Sequence, residues 1–297
     1  MGDTLTRQPA LLTSSLLASV RPGVQLFVGE GLAASVPRRR PRGHAMARSF
    51  ALRPRAQVGA GGKAAIAEAR CPAVVEVRGV LEQRASFWSC GESCGYDELE
   101  MRLCEALVDP GVSALVIDLD SPGGDGPGLE QCIAKVRALA DALGKLILGY
   151  VNELAASAGL WILAGLCDAI YLPPSGRAGS VGCLVPFIGE ARALRREGLD
   201  VYIARAPAGK ARPSSVEGLD PIGKARIDAL AAEGEARFVA AIAARRHLAP
   251  EVIRGWNGGI FTGAAAVSAG IADGVAVAGL DTVIALAAEM GAQREAA

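Results

Sequence analysis

Two short runs of small residues could carry chemistry, Ser121-Pro-Gly-Gly124 and Ala155-Ala-Ser-Ala-Gly159. Each falls between a predicted strand and a predicted helix. Paired glycines let the backbone turn sharply and present N–H groups at a helix N-terminus, where they can stabilise a developing oxyanion. Ser157, between alanines and glycine, resembles the nucleophile of a Gly-x-Ser-x-Gly turn. Taken singly, each run also fits an ordinary strand-to-helix turn.

A nucleophilic Ser157 would need a base other than histidine. The chain has only two histidines, His44 in an irregular stretch and His247 beside two arginines, and neither is well placed for a Ser-His-Asp triad. A lysine can take the hydroxyl proton once burial or a nearby like charge lowers its pKa. Of the five lysines, Lys210 in the loop Gly209-Lys-Ala-Arg212 has the least obvious surface role, with a solvated loop lysine as the alternative.

The elements around these residues alternate between strands and helices from residue 71 onward. Apolar runs predict strands that carry the turns at their ends, and 3.6-residue periodicity predicts the helices between them. Asp97 with Glu100 three residues later predicts a capping box at the start of one helix. The predicted strands are 73–80, 114–119, 146–151, 169–172, 180–188 and 201–205, and the predicted helices are 97–107, 129–143, 155–164, 190–197 and 221–246. This order predicts an α/β fold of stacked βα units with a mainly helical C-terminal third.

Composition excludes several classes of protein. The 297 residues are 51% hydrophobic with a formal net charge of +0, which argues against a general nucleic-acid binder. No apolar run approaches the ~20 residues that span a bilayer, so no stable membrane anchor is expected. Seven cysteines, an odd number set mostly in apolar segments, indicate reduced thiols and a cytoplasmic setting. The chain has no phosphate-binding loop signature, and Cys90 with Cys94 lacks a second pair at zinc spacing.

The N-terminal quarter differs from the rest. Residues 1–70 carry the run Arg38-Arg-Arg-Pro-Arg42 and show no sustained periodicity, which predicts an irregular or partly disordered arm. Residues 71–297 then form the predicted catalytic domain.

Taken in order, the motifs resemble peptidase family S49, the signal peptide peptidase A and phage head-protease family. The resemblance runs roughly from residue 73 to 277. It rests on four segments in sequence, Asp118-Leu-Asp-Ser-Pro-Gly-Gly124, Ala156-Ser-Ala-Gly-Leu-Trp-Ile162, Gly179-Ser-Val-Gly182, and Phe261-Thr-Gly through Gly270-Ile-Ala-Asp273. It implies a ClpP/crotonase-like fold, a Ser–Lys dyad and no metal or other cofactor.

The resemblance also implies roles for individual residues. Ser157 matches the nucleophile, Ser180 the serine that orients the amine, and Gly124 with the N–H of Ala158 the oxyanion hole. Anchoring the comparison on Gly198, Glu217 and Leu219 aligns Lys210 with the family lysine, whereas anchoring it on Gly209 would put Arg212 there. An arginine stays protonated and cannot serve as the base. The alignment on Lys210 is preferred because it satisfies both flanks of the loop without a gap.

The expected function is a serine endopeptidase that processes phage prohead or scaffold proteins, or signal-peptide-like substrates. The resemblance implies a homo-oligomeric ring in the bacterial or phage-infected host cytoplasm, in which neighbouring subunits can share the dyad. Two alternatives remain open on the residues: an acyl-CoA enzyme of the crotonase type, and an inactive assembly protein that kept the fold.

Overall fold

The computed structural model describes residues 70–84 and 93–296. In the described part, the strands β1 to β8 are Cys71–Glu82, Ser93–Gly95, Val112–Gly124, Leu146–Ala156, Ala169–Leu172, Arg177–Gly179, Ile260–Thr262 and Gly274–Val275. The helices α1 to α8 are Tyr96–Val108, Leu129–Ala142, Ala158–Leu166, Ala191–Arg196, Pro221–Arg246, Pro250–Gly255, Ala264–Ser268 and Leu280–Ala296. The predicted N-terminal arm, with His44 and Lys63, and Cys90 lie outside the described residues.

The strands form one largely parallel sheet in the order β2-β1-β3-β4-β5-β8. Strand β6 pairs with the C-terminal end of β4 and continues antiparallel to β7. Parallel strands joined by helices place their C-terminal ends at one edge, where α/β proteins commonly bind ligands. The ends of β3, β4 and β6, which carry the motif residues, meet at this edge.

Hydrophobic cores cover both faces of the sheet. On β3, Leu115, Ile117 and Leu119 face the larger core, which is completed by α1, α2, α3 and α5. The alternate residues Ala114 and Val116 face a smaller core against α8. A strand buried on both faces reads as a continuous apolar run, which explains why the sequence marks β3 so clearly.

The structure confirms the α/β fold and most of the predicted elements. Some boundaries were wrong. Strand β3 continues through the expected turn to Gly124, β4 continues to Ala156, and the next helix begins at Ala158 rather than at 155. Both strands run on because their ends still have hydrogen-bonded neighbours, β1 for β3 and β6 for β4.

Two predicted strands and one predicted cap are wrong. Residues 180–188 and 201–205 form no strand, because neither segment reaches an edge of the sheet that could pair with it along its length. The capping box is absent because α1 begins earlier, at the buried Tyr96 after Gly95. Asp97 therefore lies inside the first turn, where its carboxylate accepts the N–H of Glu98.

Among the described residues, no helix has both the length and the apolar character required to cross a bilayer.

Candidate active site

Ser157 stands at a sharp turn between β4 and α3. Its backbone has φ 52° and ψ −123°, a positive φ that costs energy in any residue with a side chain. Two hydrogen bonds hold the turn. The Ser157 N–H donates to the carbonyl of Gly179 over 3.0 Å, and its carbonyl accepts the N–H of Trp161 over 3.0 Å. A strained serine between a strand and a helix is the arrangement of a nucleophile elbow.

The Ser157 hydroxyl is buried without a partner. The residue is 1% exposed, and within the described residues its Oγ makes no hydrogen bond. A buried polar atom without a hydrogen bond lowers stability, so such atoms concentrate where function needs them. The hydroxyl is therefore free to bond to an incoming base or to a substrate.

Glycine is required at the end of β3 because the backbone there passes close to its neighbours. A β-carbon on Gly123 would lie 2.7 Å from the Cβ of Ser157 and 3.2 Å from the nitrogen of Ala158. A β-carbon on Gly124 would lie 1.8 Å from the carbonyl oxygen of Leu81 on β1. Gly124, the predicted oxyanion residue, is thus packed on β1, while Gly123 lies directly beside Ser157.

Ser121 fixes this end of β3 through its side chain, a role that the sequence pattern does not indicate. Its hydroxyl donates to the carbonyl of Gly79 over 2.7 Å and accepts the N–H of Gly123 over 3.1 Å. A β-carbon on Gly159 would lie 3.2 Å from the Cβ of Ser121, so the first turn of α3 packs closely against it. The only sequence signal is that a serine precedes Pro-Gly-Gly.

Ser180 leaves the sheet next to Ser157. Ala156 and Gly179 are register partners on β4 and β6, and the two serines follow them directly. Ser180 is 8% exposed with φ 58°, and its N–H donates to the carbonyl of Gly259 over 2.8 Å. The structure therefore brings Ser157, Ala158, Gly124 and Ser180 to one edge of the sheet.

Helix α3 adds an electrostatic contribution. All nine of its residues are buried, and its N-terminus begins at Ala158, directly after Ser157. At the other end, the guanidinium of the buried Arg137 donates to the Leu166 carbonyl over 2.8 Å and also pairs with Asp141 and Asp168. A helix N-terminus carries a partial positive charge, so α3 favours negative charge beside Ser157.

Lys210 lies in a different part of the molecule. It occupies an exposed loop between α4 and α5, and its backbone N–H donates to the Pro207 carbonyl over 3.0 Å. Within the described residues, the hydrogen bonds and ion pairs of residues 200–220 run only to neighbours between residues 190 and 226. No such contact joins Lys210 to Ser157 in a single chain.

Lys210 still differs from the other lysines of the described region. Lys135 pairs with Glu100 over 3.0 Å, Lys224 pairs with Asp228 over 2.5 Å, and the Lys145 amine donates to the carbonyl of Asp109 over 2.7 Å. The amine of Lys210 has no hydrogen bond or ion pair to any described residue. Among the described lysines, Lys210 is thus the one whose amine is available to bond to another molecule.

The described thiols are poor candidates for the nucleophile. Six cysteines are free, and burial raises the pKa of the Cys183 thiol, three residues after Ser180. Burial also raises the pKa of Cys94 to about 11. A thiolate needs a lowered pKa to react at neutral pH, so serine is the better candidate. In the same part of the chain, no group of three or more His, Cys, Asp or Glu side chains could hold a metal ion.

Comparison with known proteins gives several relatives with assigned names. The chain is 26% identical over 202 residues to a head-tail preconnector protein of Enterobacteria phage P21, covering 68% of this chain and 40% of that one. It is 25% identical over 205 residues to capsid assembly protease C of Escherichia phage lambda, covering 68% and 45%. Protease 4 of Salmonella typhi is 29% identical over 198 residues, covering 66% of this chain and 31% of that one. The chain spans less than half the length of these relatives.

Solved structures that resemble the chain include a membrane-bound stomatin-specific protease and an enoyl-CoA hydratase/isomerase family protein from Silicibacter pomeroyi. Each has a TM-score of 0.44 and 16% identity. The first match covers 72% of this chain and 83% of the other, and the second covers 75% and 80%.

The model for peptidase family S49 matches residues 140–294, more than half of the chain and the part that includes Ser157, Ser180 and Lys210. The chain belongs to peptidase family S49.

Proposed function

We propose that this chain is a serine endopeptidase in which Ser157 is the nucleophile and Lys210 the general base. The observation that carries the proposal is the strained, buried turn at Ser157, whose hydroxyl has no partner among the described residues and lies at the N-terminus of a buried helix. Family membership supports peptide-bond hydrolysis as the reaction.

The reaction follows from these roles. The uncharged amine of Lys210 takes the Ser157 hydroxyl proton while Oγ bonds to the carbonyl carbon of the scissile peptide. The N–H groups of Gly124 and Ala158 stabilise the negative oxygen that forms. Lys210 then gives the proton to the leaving amine as the C–N bond breaks, and water hydrolyses the acyl-enzyme by the reverse proton path. Ser180 orients the amine.

We further propose that Lys210 reaches Ser157 of a neighbouring subunit. Lys210 is exposed and makes no contact with Ser157 in its own chain, while the same region presents exposed apolar side chains at Leu199, Tyr202 and Leu219. Burying that apolar surface between copies would be favourable and would also bring the lysine to a second chain. A homo-oligomeric ring is the assembly that this proposal requires.

The proposed substrates are the capsid or scaffold proteins of a phage head, or signal-peptide-like segments. Support comes from the names of the two phage relatives, a head-tail preconnector protein and a capsid assembly protease. Their processing would take place in the cytoplasm of the bacterium or of the infected host.

A fluorophosphonate probe tests the nucleophile directly, because it reacts with activated serines. The expected result is a single modified peptide that contains Ser157, and no labelling of Ser157→Ala. Absence of labelling in a folded, assembled wild-type protein would instead indicate an assembly protein without catalysis. Binding of an acyl-CoA that persists in Ser157→Ala would indicate the crotonase type of chemistry.

Lysine variants test the base and its origin. Lys210→Ala is expected to lower probe labelling by at least about 100-fold, the usual contribution of a general base. Arg212→Ala tests the alternative alignment; an inactive Arg212→Ala with an active Lys210→Ala would show that the alignment on Lys210 is wrong. Mixing Ser157→Ala with Lys210→Ala subunits should restore activity, and verified mixed oligomers that stay inactive would contradict a shared dyad.

A further inference from the structure

We propose that Arg205 is a positioning residue for Lys210, holding the loop of the base through the lysine's own backbone. This inference rests on the proposed function, since it assigns Arg205 a role only if Lys210 is the base.

The guanidinium of Arg205 uses its donors on two sides. Its Nε donates to the carbonyl of Lys210 over 2.8 Å. On the other side, one terminal nitrogen donates to Glu217 Oε1 over 2.8 Å, and the second pairs with Oε2 of the same carboxylate. The side chain is only 7% exposed although its loop lies on the surface. Arg205 therefore joins the backbone at Lys210 to a fixed carboxylate.

Two further arginines hold the same loop from the opposite side. Arg226 on α5 donates to the carbonyls of Gly209 and Arg212. Arg212 pairs with Asp220, whose carboxylate also caps α5 by accepting the N–H of Gly223 over 2.6 Å. The loop backbone on both sides of Lys210 is thus tied to the start of a 26-residue helix. The Lys210 side chain itself is left exposed.

This arrangement needs the planar fork of arginine. A guanidinium can satisfy a bidentate carboxylate and a carbonyl at once, whereas an ammonium group is a point charge without that geometry. Bonding to Arg205 lowers the pKa of Glu217, so the carboxylate stays ionised and paired at neutral pH. Fixing the backbone at Lys210 matters because a displacement of ~1 Å in a catalytic group can lower a rate about 100-fold.

The test measures fluorophosphonate labelling of the full chain at several probe concentrations, which separates the maximal rate constant from the probe's apparent Kd. Arg205→Ala is expected to lower the maximal rate constant about 30-fold or more while the Kd changes less than about threefold, because the base and not the probe site is displaced. Arg205→Lys should fail to restore the maximal rate constant. Glu217→Gln, which keeps one acceptor oxygen, should lower that rate constant less than Glu217→Ala does.

Arg237→Ala is the matched control. Arg237 lies further along α5 and forms a comparable forked pair with Glu130; among the described residues, its hydrogen bonds and ion pairs reach only Glu130 and Glu233, not the lysine loop. Its labelling rate should stay within about twofold of the wild type, as for most surface substitutions. Hydrogen exchange adds a second measurement: the amide of Lys210 should exchange faster in Arg205→Ala and not in Arg237→Ala.

The outcomes separate the inference from the proposed function. If Lys210→Ala loses labelling while Arg205→Ala labels like the wild type, the dyad stands and the positioning role is overturned. A loss of labelling in Arg205→Ala with unchanged exchange at residues 205–213 also overturns it. If Lys210→Ala labels as fast as the wild type, the dyad itself fails and Arg205 loses its role with it. Should Arg205→Ala not fold, Glu217→Gln and Glu217→Ala decide by the same criteria.

Discussion

The turn at Ser157 and the loop at Lys210 are built on opposite principles. Ser157 is 1% exposed and is held by hydrogen bonds from strands, glycines and a wholly buried helix. Lys210 is exposed; Arg205 donates to its carbonyl, and Arg226 donates to the carbonyl of the neighbouring Gly209. The proposed nucleophile thus takes its geometry from the core of the fold, whereas the proposed base takes its geometry from a surface network.

This contrast shows which part of the site a single chain can complete. A buried turn can be fixed by one chain, because packing and backbone hydrogen bonds leave it a single conformation. For an exposed lysine, a single chain fixes only the position of the backbone. A partner surface must supply the surroundings of the amine. The proposed division of the dyad between subunits follows from this contrast.

Two glycine substitutions, one in each region, should differ most in their effect on stability. Gly124→Ala places a β-carbon 1.8 Å from a backbone carbonyl and is expected to lower the free energy of unfolding by more than about 4 kcal/mol. Gly209→Ala places one 2.6 Å from the guanidinium end of Arg226, which can move aside, and should cost less than about 1 kcal/mol. Urea unfolding of both variants measures this, and equal losses would contradict the contrast.

Aromatic truncations should give the next largest difference. Phe238 is fully buried and stacks on Trp161 of α3 with ring centroids 4.5 Å apart, so Phe238→Ala is expected to cost about 3–5 kcal/mol. Tyr202 is 90% exposed, and Tyr202→Ala should change the stability of the monomer by less than about 0.5 kcal/mol.

The measurement is thermal or urea unfolding at a protein concentration where the chain is monomeric. The same two variants should also be compared in the oligomer. There Tyr202→Ala should weaken assembly if the surface near Lys210 contacts another copy, while an unchanged dissociation constant would count against that surface.

The sequence predicts the buried region around Ser157 well. The turns at Gly124 and Ser157 are visible because small residues directly follow long apolar strands, a local pattern. The hydrogen bonds made by Ser121 and Gly259 could not be predicted, because they join segments distant in sequence, which no local pattern records.

The surface half was predicted less well. Residues 201–205 have the composition of a strand, yet they form none, since a strand needs a hydrogen-bonded neighbour and not only suitable side chains. Ser180 was identified from family resemblance alone, and Lys210 from that resemblance together with its lack of an obvious surface role. The role we propose for Arg205 depends on contacts with Lys210 and Glu217 that only the folded loop creates.

The smallest predicted effect concerns two carboxylates with opposite pKa shifts. Burial, with the nearby Glu82, raises the pKa of Asp125, which follows the glycines beside Ser157, above its usual 3.8. The hydrogen bond from Arg205 lowers the pKa of Glu217 in the lysine loop below its usual 4.5. Ionisation therefore destabilises the folded chain at Asp125 and stabilises it at Glu217.

Neutralising the carboxylate should accordingly change Tm in opposite directions in the two regions. Asp125→Asn removes a penalty that is present above the raised pKa, so it should increase Tm at neutral pH by about 1–2 °C, and the gain should vanish as the pH falls below about 3.8. Glu217→Gln removes a contribution that is present above 4.5 and lost as the pH falls through the lowered pKa, so it should decrease Tm at neutral pH and have no effect in acid. Calorimetry between pH 3 and pH 8 measures both. Shifts of the same sign would show that the two regions respond alike, because the sign follows from what surrounds each carboxylate: a half-buried turn at one site and an arginine fork at the other.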